Sequence, residues 1–250
     1  MPDRFGPRGV IALFIPLQNA NMQPEYDTMR PHGVSNQIYR FSLARPDRVP
    51  EAAINAIAGG LGCWPDLIAV GNSVEMRLLT PPQFTDYRAR LQEKIGDIPL
   101  VTATDATIAA LKAVGAKRVA AISPMSGDYS QSVADYYEGF GFEVPYHAGL
   151  QIAQPRDIIR IGYNEAREAF LKLDHDDVDT FLHVGGALGI VDSIEALEQE
   201  LGRPVVSVNV ATYWRALRTL GINDQLTGFT FRQYVTCLRI NNLEIEMIFP

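Results

Sequence analysis

Residues 179–220, DTFLHVGGALGIVDSIEALEQELGRPVVSVNVATYWRALRTL, restrict the fold more than any other stretch of the chain. A short apolar run at residues 180–184 stops at Gly185 and Gly186. A helical pattern then fills residues 190–201, and Gly202, Arg203 and Pro204 interrupt it. A β-branched run follows at residues 205–208, and a second helical pattern starts near Ala211. Strand, glycine turn, helix, strand, helix is the order of a βαβ unit, which requires a parallel sheet covered by helices. Such sheets take ligands beyond the carboxyl ends of their strands. Gly185, Gly186 and Asn209 are therefore candidate pocket rims.

The same order recurs along the chain. Residues 10–16, VIALFIP, form a continuous apolar run, the mark of a strand buried on both faces. Pro16 ends it and LQNANMQPEYDTM follows. Asn19 and Asn21 stand just past this strand, where an amide meets a ligand or caps the helix that Pro24 is expected to open. Residues 36–43 read as a second strand, 51–60 as a helix, and 67–70 as a third strand that empties into Gly71, Asn72 and Ser73. Those three offer backbone N–H groups beside amide and hydroxyl donors, suited to a carboxylate or a developing oxyanion and equally to a tight turn. A helix at 82–96, a short strand at 100–102 and a helix at 105–114 complete a first half.

The second half opens with a strand at 119–122 and the polar loop SPMSGDY, which carries Met125, Asp128 and Tyr129. A helix at 130–140, a strand at 143–145 and a mostly helical region at 156–173 lead into the 179–220 unit. The expected fold is α/β, in two similar halves of residues 1–115 and 116–225. Each half has a parallel sheet, and the ligand cleft lies between them. Residues 226–250 are expected to wrap the fold or join a subunit contact.

A hydrophobic content of 47% and a charged content of 20% suit a globular chain with a real core. The net charge of −7 argues against a non-specific nucleic-acid binder, because no basic face is present to neutralise phosphates. Cys63 and Cys237 form neither a disulfide framework nor a zinc spacing, and His32, His147, His175 and His183 form no zinc spacing either. The start MPDRFGPRG lacks the regions of a signal peptide, and no apolar stretch has the length to span a bilayer. A cytoplasmic protein without membrane or nucleic-acid partners is expected, as a homodimer or higher homo-oligomer.

Gly185, Gly186, Ala187 and Leu188, followed by LEQELGRPVVSVNVATYWRALR, resemble the arylmalonate decarboxylase and maleate isomerase group of the aspartate/glutamate racemase superfamily. IALFIPLQNANM also resembles the first strand and loop of maleate isomerases, whose substrate-binding asparagine is matched by Asn19. The resemblance covers residues 9–223. It implies two pseudo-symmetric halves of flavodoxin-like βα units, a small carboxylic or dicarboxylic acid bound between them, and no metal or organic cofactor. It further implies a cysteine after a strand in each half, or in the second half alone for the decarboxylases. Those positions fall here at Asn72 or Gly71 and at Gly185. The group's tyrosine after the first strand of the second half falls at Met125, with Tyr129 four residues on. A thiol of pKa ~8.5 exchanges protons or adds to an activated alkene, and glycine and asparagine do neither. Cysteine-dependent chemistry is therefore not expected.

His183 is expected to share a strand face with Gly185 and to move a proton near neutral pH, the alternative being a buried structural histidine. Glu75, Asp128 and Tyr129 are further acid–base candidates, with a helix-dipole role as the alternative for Glu75. Asn19, Gly71, Asn72, Ser73, Met125, Gly185, Gly186 and Asn209 form the expected substrate surface; Arg77, Arg156 and Arg160 are weaker carboxylate partners. The expected activity is a cofactor-independent lyase or isomerase acting on a small carboxylic or dicarboxylic acid through an enolate. A non-catalytic small-acid binding protein, and a hydrolase using Ser73 with Glu75 or His183, are the alternatives.

Overall fold

A computed structural model describes residues 4–42, 49–125, 127–152, 155–224 and 226, with residues 127, 128 and 155 described by their backbone only. Among these residues, eight strands fall into two four-stranded parallel sheets. The first holds β1 (Gly9–Pro16), β2 (Val34–Phe41), β3 (Leu67–Val70) and β4 (Leu100–Thr102) in the order β2-β1-β3-β4. The second holds β5 (Arg118–Ser123), β6 (Glu143–Gly149), β7 (Thr180–His183) and β8 (Val205–Ser207) in the order β6-β5-β7-β8. The first strand of each half is central, and β1 is buried at every position, as its unbroken apolar sequence requires. Eight α-helices cover the sheets: α1 (Met22–Met29), α2 (Val49–Ile57), α3 (Pro81–Ile95), α4 (Ala103–Ala113), α5 (Gly127–Glu138), α6 (Tyr163–Lys172), α7 (Ile194–Leu201) and α8 (Val208–Thr219).

The duplication expected from element order extends to individual hydrogen bonds. Asp66, just before β3, accepts the Val10 N–H on its carboxylate (2.8 Å), and Asp179, just before β7, accepts the Arg118 N–H (2.9 Å). Pro99 O receives Ile68 N–H, and Pro204 O receives Phe181 N–H, both at 2.9 Å. Thr107 and Thr212, each four residues after the start of its helix, both bond back to the carbonyl one turn earlier. The two sequences thus repeat in the side chains that fix strand register.

Several boundaries differ from expectation, and four of the differences have a clear physical reason. Helix α1 starts at Met22, two residues before Pro24, because Asn19 Oδ1 accepts the N–H groups of Asn21 (3.1 Å) and Met22 (2.9 Å). Pro24 then sits in the first turn, where its missing N–H costs nothing. Strand β6 runs past Pro145 to Gly149, since the ladder shifts register between Arg118 and Ala120 and the proline falls at that irregularity. The region 156–173 divides at Gly162 into a 3-10 turn, Pro155–Arg160, and α6. Helix α8 starts at Val208, so Asn209 lies in its first turn and not on a strand-end loop. Residues 227–250, including Cys237, lie outside the described residues, as does the expected role of that segment.

The halves interlock through the helices that follow their last strands. Helix α4 packs along α8; α8 also lies against β3 and β4 of the first sheet, and α4 reaches β8 of the second. One continuous apolar core runs through both sheets. No helix among the described residues is long and apolar enough to cross a membrane.

At Gly185, φ is +110° and an added Cβ would lie 2.5 and 2.8 Å from the Pro124 ring, whereas Gly141, at φ +90°, has nothing within 4 Å. Gly141→Ala is expected to lose only the backbone preference, about 1 kcal/mol. Gly185→Ala adds the clash with a rigid ring and should lose at least about 1 kcal/mol more in urea unfolding. Equal losses would mean that the loop yields to the methyl group.

Candidate active site

The loops after β3 and β7 leave their sheets in the same way. Gly71 N–H donates to Phe14 O (2.8 Å), one residue beyond the Phe14–Val70 pair, and Val184 N–H donates to Ile122 O (2.9 Å), one residue beyond the Ile122–His183 pair. Val184 is therefore the second half's counterpart of Gly71. By the same offset Asn72 corresponds to Gly185, so these two expected positions are a symmetry-related pair.

Met22 lies between the two loops. A Cβ on Gly71 would overlap Met22 Cε and lie 3.2 Å from Tyr26 Oη. A Cβ on Gly186 would overlap Asn209 Oδ1 and lie 2.9 Å from Met22 Sδ. Helix α1 of the first half thus inserts a buried thioether between the strand-end loops. The same helix grips the second loop from outside. Asn21 Nδ2 donates to Ala187 O (2.8 Å), Glu25 Oε1 accepts Val191 N–H (3.0 Å), and Asn209 Nδ2 donates to Glu25 Oε2 and to Gly186 O (2.9 Å).

Two carboxyl groups here are perturbed. Burial raises Glu25 to about 7, against the pull of the Asn209, Val191 and Ile190 hydrogen bonds, and Asp192 adds like-charge repulsion. Burial also raises Glu75, partly offset by its own backbone, by Ser73 N–H and by the Arg77 charge. Ser73 N–H donates to Glu75 Oε2 at 3.1 Å, so the backbone donor expected to meet a ligand carboxylate holds an internal one. The Arg77 guanidinium stacks over Tyr129, 5.4 Å from the ring centroid, while burial lowers its pKa. Tyr129 itself is exposed. These three residues line the junction between the 3-10 turn Val74–Leu78 of the first half and α5 of the second.

Some of the buried polar atoms without a hydrogen-bond partner among the described residues belong to residues at the strand ends and the turns that follow: Ser73 Oγ, Ser123 Oγ, His183 Nε2, Asn209 Oδ1 and Arg77 Nε. Each such atom costs roughly 1–3 kcal/mol unless water or a ligand meets it.

The other expected residues divide sharply. Asn19 is buried and spends its carbonyl on capping α1, leaving its amide nitrogen for a ligand. Asn72 turns inward, toward Met76 Sδ and Tyr87 Oη. Met125 packs against the core, and the Asp128 side chain lies outside the described residues. His183 is fully buried, bonds Ser207 Oγ through Nδ1 (3.0 Å), and is pushed down to about 3 by burial. It stays neutral, which corrects the expectation of a histidine titrating near pH 7. Its partner Ser207 is its neighbour on β8, and no Ser73–His183 pair forms. Met22, Glu25 and Ser123 are absent from the sequence-derived set. Only the i, i+3 spacing of Met22 and Glu25 on a helix leaving a strand end would have flagged them.

A family model for arylmalonate decarboxylase matches residues 80–230, more than half of the chain. The chain belongs to the arylmalonate decarboxylase family. Its similarity to the maleate isomerase of Alcaligenes faecalis is 28% identity over 144 residues, 56% of this chain and 57% of that protein's length. A solved arylmalonate decarboxylase structure superposes with a TM-score of 0.75 at 20% identity, over 88% of this chain and 96% of that one. A cysteine-to-serine variant of the Nocardia farcinica maleate cis-trans isomerase, with a covalently bound succinylcysteine intermediate, gives 0.78 at 19% identity over 85% and 93%. At these identities the structures establish the shared α/β fold.

Gly71 and Val184 hold the equivalent strand-end positions, and Cys63 lies at the far edge of the first sheet, before β3, with Sγ on Gly60 O (3.2 Å). A groove of about 760 Å³ also lies at that far edge, lined by Arg8, Gly62, Cys63, Trp64 and Leu220. The strand-end chemistry and the groove are separated by the length of β3.

Between pH 4.5 and about 7 the folded chain keeps a proton on Glu25 that the unfolded chain has released. This contribution is full below the lower value and is lost as pH rises through the upper one. In melts from about pH 4 to 9, wild type should lose Tm relative to Glu25→Gln across that window. A difference that stays constant with pH would place the titration elsewhere.

Proposed function

We propose that the chain is a cofactor-independent lyase acting on a small carboxylic or dicarboxylic acid, with a glutamic acid in the role that relatives give to a thiol. The observation that carries this reading is Glu75, whose carboxyl group is raised by burial at the turn after Gly71. Ser73 N–H holds one oxygen of Glu75, and burial favours the protonated carboxyl group over the carboxylate. Ser73 Oγ, Arg77 Nε and the Asn19 amide supply donors for a substrate carboxylate, and two of these atoms are otherwise unmet.

Decarboxylation fits these groups better than double-bond isomerisation. In the Nocardia relative a cysteine is joined covalently to the substrate skeleton, and a carboxyl group is a poor nucleophile for an alkene. Protonation needs only a placed acid. The C–C bond to the departing carboxylate breaks, its electron pair enters an enediolate, and Glu75 delivers its proton to carbon. Water then reprotonates Glu75. A non-catalytic binder is the second reading, favoured by glycine and valine at both strand-end positions.

Incubation with malonic and alkylmalonic acids in D2O tests the proposal. Carbon dioxide release with one deuterium at the α-carbon is expected, and Glu75→Gln should lower kcat by about 10²–10⁴ with little change in binding. Saturable binding without turnover would select the binder; turnover untouched by Glu75→Gln would move the proton to another residue.

A further inference from the structure

We infer that Met22 sets the size of acid this site accepts, restricting it to short aliphatic acids and rejecting aryl-substituted ones. The inference rests on the function proposed above and names its substrate class.

Met22 is 1% exposed and is the side chain that fills the interval between the two equivalent loops. Its Sδ lies 3.5 Å from a Cβ built on Gly71 and 2.9 Å from one built on Gly186, with Met22 Cγ at 3.1 Å from the latter. Both loop positions are glycines, so neither contributes a wall, and the thioether supplies it. The obstruction at Gly71 is the terminal methyl, the part of a methionine that moves most readily. The obstruction at Gly186 includes Cγ and the Asn209 amide, which is held by Glu25 and Gly186 O. Rotation of the methyl frees space beside Gly71 for a few atoms. Room for a phenyl ring requires the whole side chain to leave, and Tyr26 Oη stands 3.2 Å behind the Gly71 position. The space released is therefore that of a short chain beside Ser73 and Glu75.

The test compares malonate with phenylmalonate in wild type, Met22→Val and Met22→Ala, by ligand-observed NMR titration and by turnover. Circular dichroism melts confirm folding, and Met22→Val serves if the larger truncation does not fold. Wild type should prefer malonate by at least about tenfold, and truncation should reduce that ratio by about tenfold or more, the scale of removing a methylene-sized contact from a pocket. Equal handling of both acids by wild type, or an unchanged ratio in the folded variants, overturns the inference. If wild type binds neither acid, the site reading itself falls, an outcome distinct from an unchanged ratio.

Discussion

The structure depends on the packing of α4 against α8. Each helix follows the last strand of its own half and lies against the other half, so neither sheet is covered by its own helices alone. The same exchange is repeated at the side-chain level. Tyr26 of α1 faces Thr212 of α8, and Tyr137 of α5 faces Thr107 of α4. Tyr26 also stacks on Tyr213 at 5.4 Å between centroids. Buried aromatic rings of this kind contribute on the order of 150–250 Å² of surface each, and here they contribute it across the boundary. The halves are consequently one cooperative core, and the loops at their carboxyl edges are held face to face.

That constraint explains why α1 carries so much of the site without standing at a strand end. Once α1 is docked on α8, its first turn must lie over the loop after β7. Asn21, Met22 and Glu25 then meet Ala187, Gly186 and Val191 in sequence along it. Polar bonds from Asn21 and Glu25 tie down the loop backbone, while Met22 fills the space that two glycines leave open. The glycines are needed for the same reason: a Cβ at either Gly71 or Gly186 would overlap atoms of α1 or α8.

Much of this was legible in the sequence, and the limits are physical. The unbroken runs VIALFIP and LIAV identify strands buried on both faces, and β3 falls at the expected residues. The glycine turns after β3 and β7 were visible because a tight exit needs small residues. The residue-by-residue match of the two turns needs the structure: strand β7 ends at His183, and only the ladders to β5 and β1 show that Val184 matches Gly71 and Gly185 matches Asn72. His183 was misleading because strand periodicity gives a face but not the depth of burial. Glu25 and Met22 carry only the weak signal of their i, i+3 spacing, since their importance comes from contacts across the two halves, such as Glu25 with Val191, more than 160 positions away.

Backbone symmetry and side-chain asymmetry together bear on stereochemistry. The two strand-end turns are equivalent in hydrogen bonding, but the first carries a buried acid folded back onto Ser73 N–H, whereas the acid of the second, Asp192, is exposed and lies beyond the glycines. The second carries glycines and a loop fixed from outside, so what it offers is space and carbonyl groups. A pair of equivalent thiols could exchange protons at both faces of a planar enediolate and would scramble its configuration. One carboxyl group on one side reaches one face. Under the proposed chemistry, a single acid on one side of the cleft therefore makes proton transfer a one-sided delivery, whereas a two-sided pair would exchange protons at both faces.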